Sequence, residues 1–193
     1  MSESPESSEM RRICIYCGSR LGARPSYALD AQRLATAMVA RNTGLVYGGA
    51  SVGLMGLIAD TVLAAGGSAI GVIPELLVAR EIAHGGLTEL HVVDTLHERK
   101  ALMASLAHAF VAVAGGLGTL EELFETITWG MLGIHRKPIG LLNTEGYYDG
   151  LIDFLAYSVR EGFISADAAA LLRVKNDPEE LLEELFPRTS AQA

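Results

Sequence analysis

The chain has 193 residues, half of them hydrophobic, which suits one domain with a sizeable core and excludes extensive disorder. Its formal net charge of −8, from 23 acids and 15 bases, argues against broad nucleic-acid or membrane-surface binding. No apolar run approaches the roughly 18–20 residues that span a bilayer. Residues 1–10 are Ser/Glu-rich and lack the basic start and apolar stretch of a signal peptide. A disordered tail is therefore expected there, a single domain over 11–186, a second tail over 187–193, and a cytoplasmic location.

The first apolar run, Ile13–Tyr16, reads as a strand. It carries Cys14 and Cys17 at C-x-x-C spacing, but within an extended run this offset points the two thiols to opposite faces. Packing, not redox chemistry, is expected of them. Further strands are placed at Leu45–Tyr47, Ala69–Ile73, Leu90–Val93, Phe110–Ala114 and Ile139–Leu142. Several are continuous apolar runs, as parallel strands covered on both faces require. Helix-like segments alternate with them: Ser26–Arg41, Leu54–Ala65, Leu96–Ala107, Leu120–Leu132, Tyr148–Glu161, a short piece from Ala166 to Leu172, and Pro178–Leu185. In Leu54–Ala65 the apolar positions 54, 57, 58, 62 and 65 share one helical face. This order predicts an α/β fold: a doubly wound, Rossmann-like parallel sheet with helices on both faces.

Ligands of such sheets bind beyond the carboxyl ends of the strands. Three glycine-rich turns fall there: Gly18-Ser-Arg-Leu-Gly22, Gly48-Gly-Ala-Ser-Val-Gly53 and Gly115-Gly-Leu-Gly118. Glycines admit a ligand close to the backbone, and a helix start offers N–H groups without intrahelical partners, a setting suited to phosphate. Gly18, Ser19, Gly48, Gly49 and Gly53 are the phosphate-loop candidates. Neither G-x-x-x-x-G-K-[ST] nor a complete G-x-G-x-x-G occurs, since Glu121 stands where the last glycine would fall, so an ATP-hydrolysing loop and a dinucleotide fingerprint have little support.

Charged residues flank two of these loops. Thr95 and Glu98 have capping-box spacing, which leaves Arg99 and Lys100 as cations near a helix start, opposed by its dipole unless an anion lies close. Thr119 and Glu122 have the same spacing, so Glu122 reads either as a capping carboxylate or as a carboxylate preorganised beside an anion site. The pairing of an anion cradle with a carboxylate points to phosphorylated-sugar or nucleotide chemistry. The five histidines show no metal-ligand spacing, and no metal or cofactor is expected.

Taken together, Gly48-Gly-Ala-Ser-Val-Gly-Leu-Met-Gly56, His97-Glu-Arg-Lys100 and Gly115-Gly-Leu-Gly-Thr-Leu-Glu-Glu122 resemble the LOG (Lonely Guy) family. Its members are cytokinin riboside 5′-monophosphate phosphoribohydrolases, formerly labelled lysine decarboxylases. The resemblance runs from Tyr16-Cys-Gly-Ser19 to Gly146-Tyr-Tyr-Asp149 and Gly162-Phe-Ile164. Ala114 stands where the family signature has Pro, Ala50 where a third glycine is usual, and His108 where Asp is frequent.

The resemblance implies hydrolysis of the N-glycosidic bond of cytokinin riboside 5′-monophosphates and AMP. It implies Arg99 and Glu122 as catalytic residues. Substrate contacts are implied at Glu81, Arg99, Lys100, Gly116, Leu117, Gly118, Thr119, Leu120, Glu121, Glu122 and Thr128. A homodimer or higher oligomer, with the site near the subunit interface, is implied as well. A non-catalytic carrier of a nucleotide or of the molybdenum cofactor is the alternative on the same fold, and a purine nucleotide hydrolase with no cytokinin role is a third. A lysine decarboxylase using pyridoxal would need a Schiff-base lysine, and only Lys100 stands near the loops.

Overall fold

The computed structural model describes residues 10–81 and 83–187. The tails expected over 1–10 and 187–193 lie outside these apart from Met10 and Pro187. In chain order the elements are β1 (Arg11–Tyr16), α1 (Pro25–Ala40), β2 (Thr43–Tyr47), α2 (Gly53–Ala64), β3 (Ala69–Pro74) and α3 (Glu75–Glu81). There follow β4 (Glu89–Val93), α4 (Leu96–Leu106), β5 (Ala109–Ala112), α5 (Leu117–Met131) and β6 (Ile139–Leu142). A 3₁₀ turn at Thr144–Gly146 leads into α6 (Asp149–Arg160), α7 (Ala166–Ala169), β7 (Leu172–Lys175) and α8 (Pro178–Leu185).

The seven strands form one parallel sheet in the order β4-β3-β2-β1-β5-β6-β7. The chain winds outward from β1 to β4, returns to place β5 beside β1, and winds outward again. The β1/β5 boundary is thus the topological switch point, where helices diverge and a crevice opens at the strand ends.

Alternate residues of β1 feed two cores, as the period of 2 in a strand demands. Ile13, Ile15 and Cys17 pack with Leu34 and Met38 of α1, Leu54 and Ile58 of α2, and Leu181 and Leu185 of α8. Cys14 and Tyr16 pack on the other face with Met103 of α4, Leu123 of α5 and Phe110 of β5. The two thiols therefore do occupy opposite faces; both are free and buried. Burial first, then the nearby Glu122 carboxylate, pushes both thiols well up, so they stay neutral.

Two elements depart from the expectation. The short piece from Ala166 is a single helical turn followed by a strand, β7, at the sheet edge. A further helix, α3, follows Pro74 directly. Ala50, the replacement for a third glycine, is fully buried and forms an isolated antiparallel bridge to Ala83. The positive φ in this loop falls on Gly49 (78°) and Gly53 (59°), not on residue 50, so alanine is tolerated there.

Candidate functional site

The three glycine turns pack against one another at the switch point. Gly18 N–H donates to Ala114 O at 3.0 Å, and Leu54 N–H donates to Gly18 O at 3.1 Å. A Cβ on Gly53 would lie 2.2 Å from the carbonyl carbon of Ser19, so this glycine lets two backbones touch. Gly49 serves packing too, since a Cβ there would press on Ile73 and Leu90 at 3.3 Å. Gly116 and Gly118 differ: a Cβ on either would meet nothing within 4 Å. Open space over glycines at a helix start is what a cradled ligand needs.

Helix α5 begins earlier than its sequence suggests. Its N-cap is Gly116, with no side-chain cap, and Leu117 is the first helical residue. Thr119 is therefore inside the first turn and not the cap; it is buried, and its hydroxyl occupies the place a Gly115 side chain would need. The capping-box reading of Thr119 and Glu122 fails for this reason, and Glu122 sits on the second turn. Its carbonyl accepts from Thr126 Oγ1 at 2.9 Å. With the Thr126 proton so committed, the 2.9 Å contact between Tyr16 and Thr126 hydroxyls has Tyr16 as donor.

Helix α4 carries the capping box its sequence predicts. Thr95 Oγ1 accepts from Glu98 N–H at 3.1 Å, and Glu98 Oε2 accepts from Thr95 N–H at 3.2 Å. This fixes the helix start that presents Arg99, which is only 8 % exposed and donates from Nη2 to Gly48 O at 3.1 Å. Gly48 is required here, because its Cβ would fall 1.9 Å from that Nη2. Arg99 and Glu122 act with opposite sign on the same buried groups: Glu122 raises the Cys14 and Cys17 thiols, and Arg99 lowers them. Both charges are thus close enough to act on these two thiols.

Lys100, buried beside Arg99, ties α4 to α5. Its Nζ donates to Glu121 Oε1 at 2.5 Å and to Glu125 Oε2. Burial lowers the ammonium pKa, but the hydrogen bonds to Glu121 and Glu125 outweigh it and hold the group charged. That is the reverse of what a Schiff-base nucleophile needs.

Leu117 stands 87 % exposed on the rim, and Leu120 is half-buried behind it. Thr128 is not part of this cluster. It lies six residues beyond Glu122, about 9 Å along the helix, and lines a separate apolar groove of about 420 Å³ with Phe124, Met131 and Phe163. The backbone of Glu81 ends α3, and its side chain lies outside the described residues.

A cleft of about 550 Å³ opens on the α1 side of the glycine turn, lined by Gly18–Gly22, Tyr27, Leu54, Ala114–Leu117 and Tyr147. Neither Arg99 nor Glu122 lines it. Tyr27 and Tyr147 are not among the residues the motifs indicate; the signal for Tyr147 is the Gly146-Tyr-Tyr-Asp149 segment, whose phenols carry no obvious chemistry of their own, and Tyr27 has no such signal. Among the described residues, no group of three or more His, Cys, Asp or Glu could hold a metal ion, and no helix is long and apolar enough to cross a membrane.

Residues 55–185 match the family described as "Possible lysine decarboxylase". The chain is 50% identical over 184 residues to a cytokinin riboside 5′-monophosphate phosphoribohydrolase of Arabidopsis thaliana, covering 94% of this chain and 86% of that protein. It is 49% identical over 183 residues to an enzyme of the same name from Oryza sativa subsp. japonica, covering 93% and 76%. Among solved structures, the molybdenum cofactor carrier protein of Chlamydomonas reinhardtii superposes with a TM-score of 0.71 at 20% identity, covering 93% of this chain and all of that one. The molybdenum cofactor binding protein of Rippkaea orientalis gives 0.68 at 19% identity, covering 92% and 96%. At such identities these structures share the fold.

Proposed function

The chain belongs to the LOG family, and from that premise we propose that it hydrolyses the N-glycosidic bond of nucleoside 5′-monophosphates, namely AMP and its N6-substituted cytokinin forms. The observation that carries this reading is the identity of about half over nearly the whole chain to phosphoribohydrolases of two plants. The carrier alternative draws on fold alone, at 20% identity or less in these two cases.

The chemistry assigns roles as follows. The 5′-phosphate sits on the N–H groups of Gly116, Gly118 and Thr119 at the start of α5. As the bond between the ribose anomeric carbon and the purine nitrogen breaks, its electron pair leaves with the base and positive charge grows on the ribose. Glu122 stabilises that charge and takes a proton from the attacking water; the departing base acquires a proton, and ribose 5-phosphate is the second product. Arg99, held by Gly48 O, orients Glu122 or a substrate oxygen. Lys100 and Glu121 hold α4 and α5 in register around these two.

The homodimer is part of the proposal. An apolar stripe of Leu117, Phe124 and Met131 recurs every seven residues along α5 and stays exposed. Thr128 shares this face and stands about 9 Å along the helix from Glu122, so it serves the substrate of a second copy. A cytoplasmic location is also proposed, consistent with two buried, reduced cysteines.

The test is chromatography of the purified protein incubated with AMP and, separately, with isopentenyladenosine monophosphate. Free base is expected from at least one. Glu122→Gln is expected to lower turnover by about 10²–10⁴-fold while the melting temperature is retained. Full activity in that variant overturns the assignment of Glu122; intact nucleotide with wild-type protein overturns the enzyme reading.

A further inference from the structure

An anion cradle made of backbone must present N–H groups and turn its carbonyls away, because a carbonyl oxygen repels phosphate. Along the connection from β5 to α5, each carbonyl from Val113 to Gly116 has a donor. Ala114 O accepts from Gly18 N–H at 3.0 Å and Gly116 O from Leu120 N–H at 3.1 Å, both backbone groups. The other two depend on consecutive phenols. Tyr148 Oη donates to Val113 O at 2.8 Å, and Tyr147 Oη donates to Gly115 O at 2.6 Å.

The segment bearing these phenols is built for more than joining β6 to α6. Glu145 and Gly146 both adopt left-handed conformations (φ 49° and 73°), and a Cβ on Gly146 would lie 2.4 Å from Asp149 Oδ2. Left-handed backbone at a non-glycine residue is sterically unfavourable and persists only when its surroundings impose it. Here Asn143 Oδ1 accepts from Tyr148 N–H at 2.7 Å, Asn143 Nδ2 donates to Asp149 Oδ1 at 2.8 Å, and Arg24 pairs with Glu145 at 3.0 Å. The Tyr147 ring is held edge-on between Tyr27 and Tyr148, with centroids 5.4 and 4.7 Å away.

We infer that Tyr147, supported by Tyr148, is a positioning residue for the phosphate cradle. Its hydroxyl fixes the Gly115 peptide so that the carbonyl faces the cleft wall and the following N–H groups face the ligand. Gly115 has no side chain to resist peptide rotation, and among the described residues no backbone donor takes its carbonyl. This inference rests on the nucleotide reading of the site, which it deepens by naming what orients the phosphate.

Tyr147→Phe removes the hydroxyl and keeps both ring contacts. The measurement is calorimetric binding of inorganic phosphate, then of adenine, to wild type and variant, with AMP kinetics alongside. The dissociation constant for phosphate is expected to rise about fivefold to tenfold, the loss of one hydrogen bond to the loop. The KM for AMP rises in parallel, with kcat, adenine binding and melting temperature unchanged. Unchanged phosphate affinity, an equal loss for adenine, or a wild-type protein that binds no phosphate overturns the inference. Wild-type protein that binds phosphate, loses it in the variant and releases no base from AMP supports the inference and removes the enzymatic reading alone.

Discussion

A side chain at position 48 would occupy the place of the Arg99 guanidinium, so this glycine is needed to seat Arg99. Gly48→Ala is expected to expel Nη2 from Gly48 O, since a clash at 1.9 Å cannot be relieved by small shifts. Turnover of AMP should drop on the order of 10²-fold, the scale of losing one preorganised electrostatic group. Circular dichroism and thermal melting should show an intact fold, because position 48 follows β2 and takes no part in either core. Wild-type turnover in this variant removes Arg99 from the mechanism. The conclusion about Gly48 was out of reach of the sequence. The pattern Gly48-Gly49 reads as one tight turn, yet one glycine yields to a side chain and the other to β3 and β4. Periodicity and motif report where a chain turns; they do not report which distant group fills the space.

At the level of elements, the parallel strands were legible because burial on both faces leaves continuous apolar runs, as in Phe110–Ala114. Helix α4 was legible because both halves of its capping box are local. Helix α5 begins three residues before its sequence pattern indicates for a physical reason: its start rests on contacts of Gly115 with Thr119 and Gly18, with no cap in the sequence to mark it. Strand β7 was hidden because four half-buried residues at a sheet edge alternate too briefly to show a period. Helix α8 offers the sharpest test of capping energetics. Asp177 Oδ1 accepts from Glu179 and Glu180 N–H, each at 3.0 Å, while Oδ2 meets Arg33 of α1 at 2.7 Å. Asp177→Ala is expected to cost about 1 kcal/mol by urea titration at neutral pH. The backbone N–H of Glu180, then Arg33, holds the Asp177 carboxyl below its usual range. A depressed acid stabilises above its unfolded pKa and loses that contribution as pH falls through the folded value. The gap between wild type and variant should therefore close below about pH 4; a gap that widens there is incompatible with the cap.

For the whole molecule, the question is what covers the far face of α5. Met131 is 56 % exposed and Phe163 88 %, and both line the groove that holds Thr128. Exposed apolar area of this kind in an otherwise acidic molecule is what the proposed homodimer would cover. A two-fold pairing would bury the same stripe from both copies and bring each Thr128 toward the other copy's site. Met131→Glu places like charges across such an axis and should convert a species of twice the 20.5 kDa chain mass into single chains, read by light scattering after gel filtration. Position 131 is far from Glu122 along α5, so a fall in turnover that accompanies dissociation, and is reversed at high protein concentration, would assign Thr128 to the neighbouring site. Single chains that keep full turnover would confine the site to one copy and leave the groove a matter of assembly alone. The sequence carried the stripe's spacing in plain view, but spacing cannot say which apolar face of a helix the fold leaves uncovered. Here the interior takes Leu123 and Thr126, and the opposite face stays exposed.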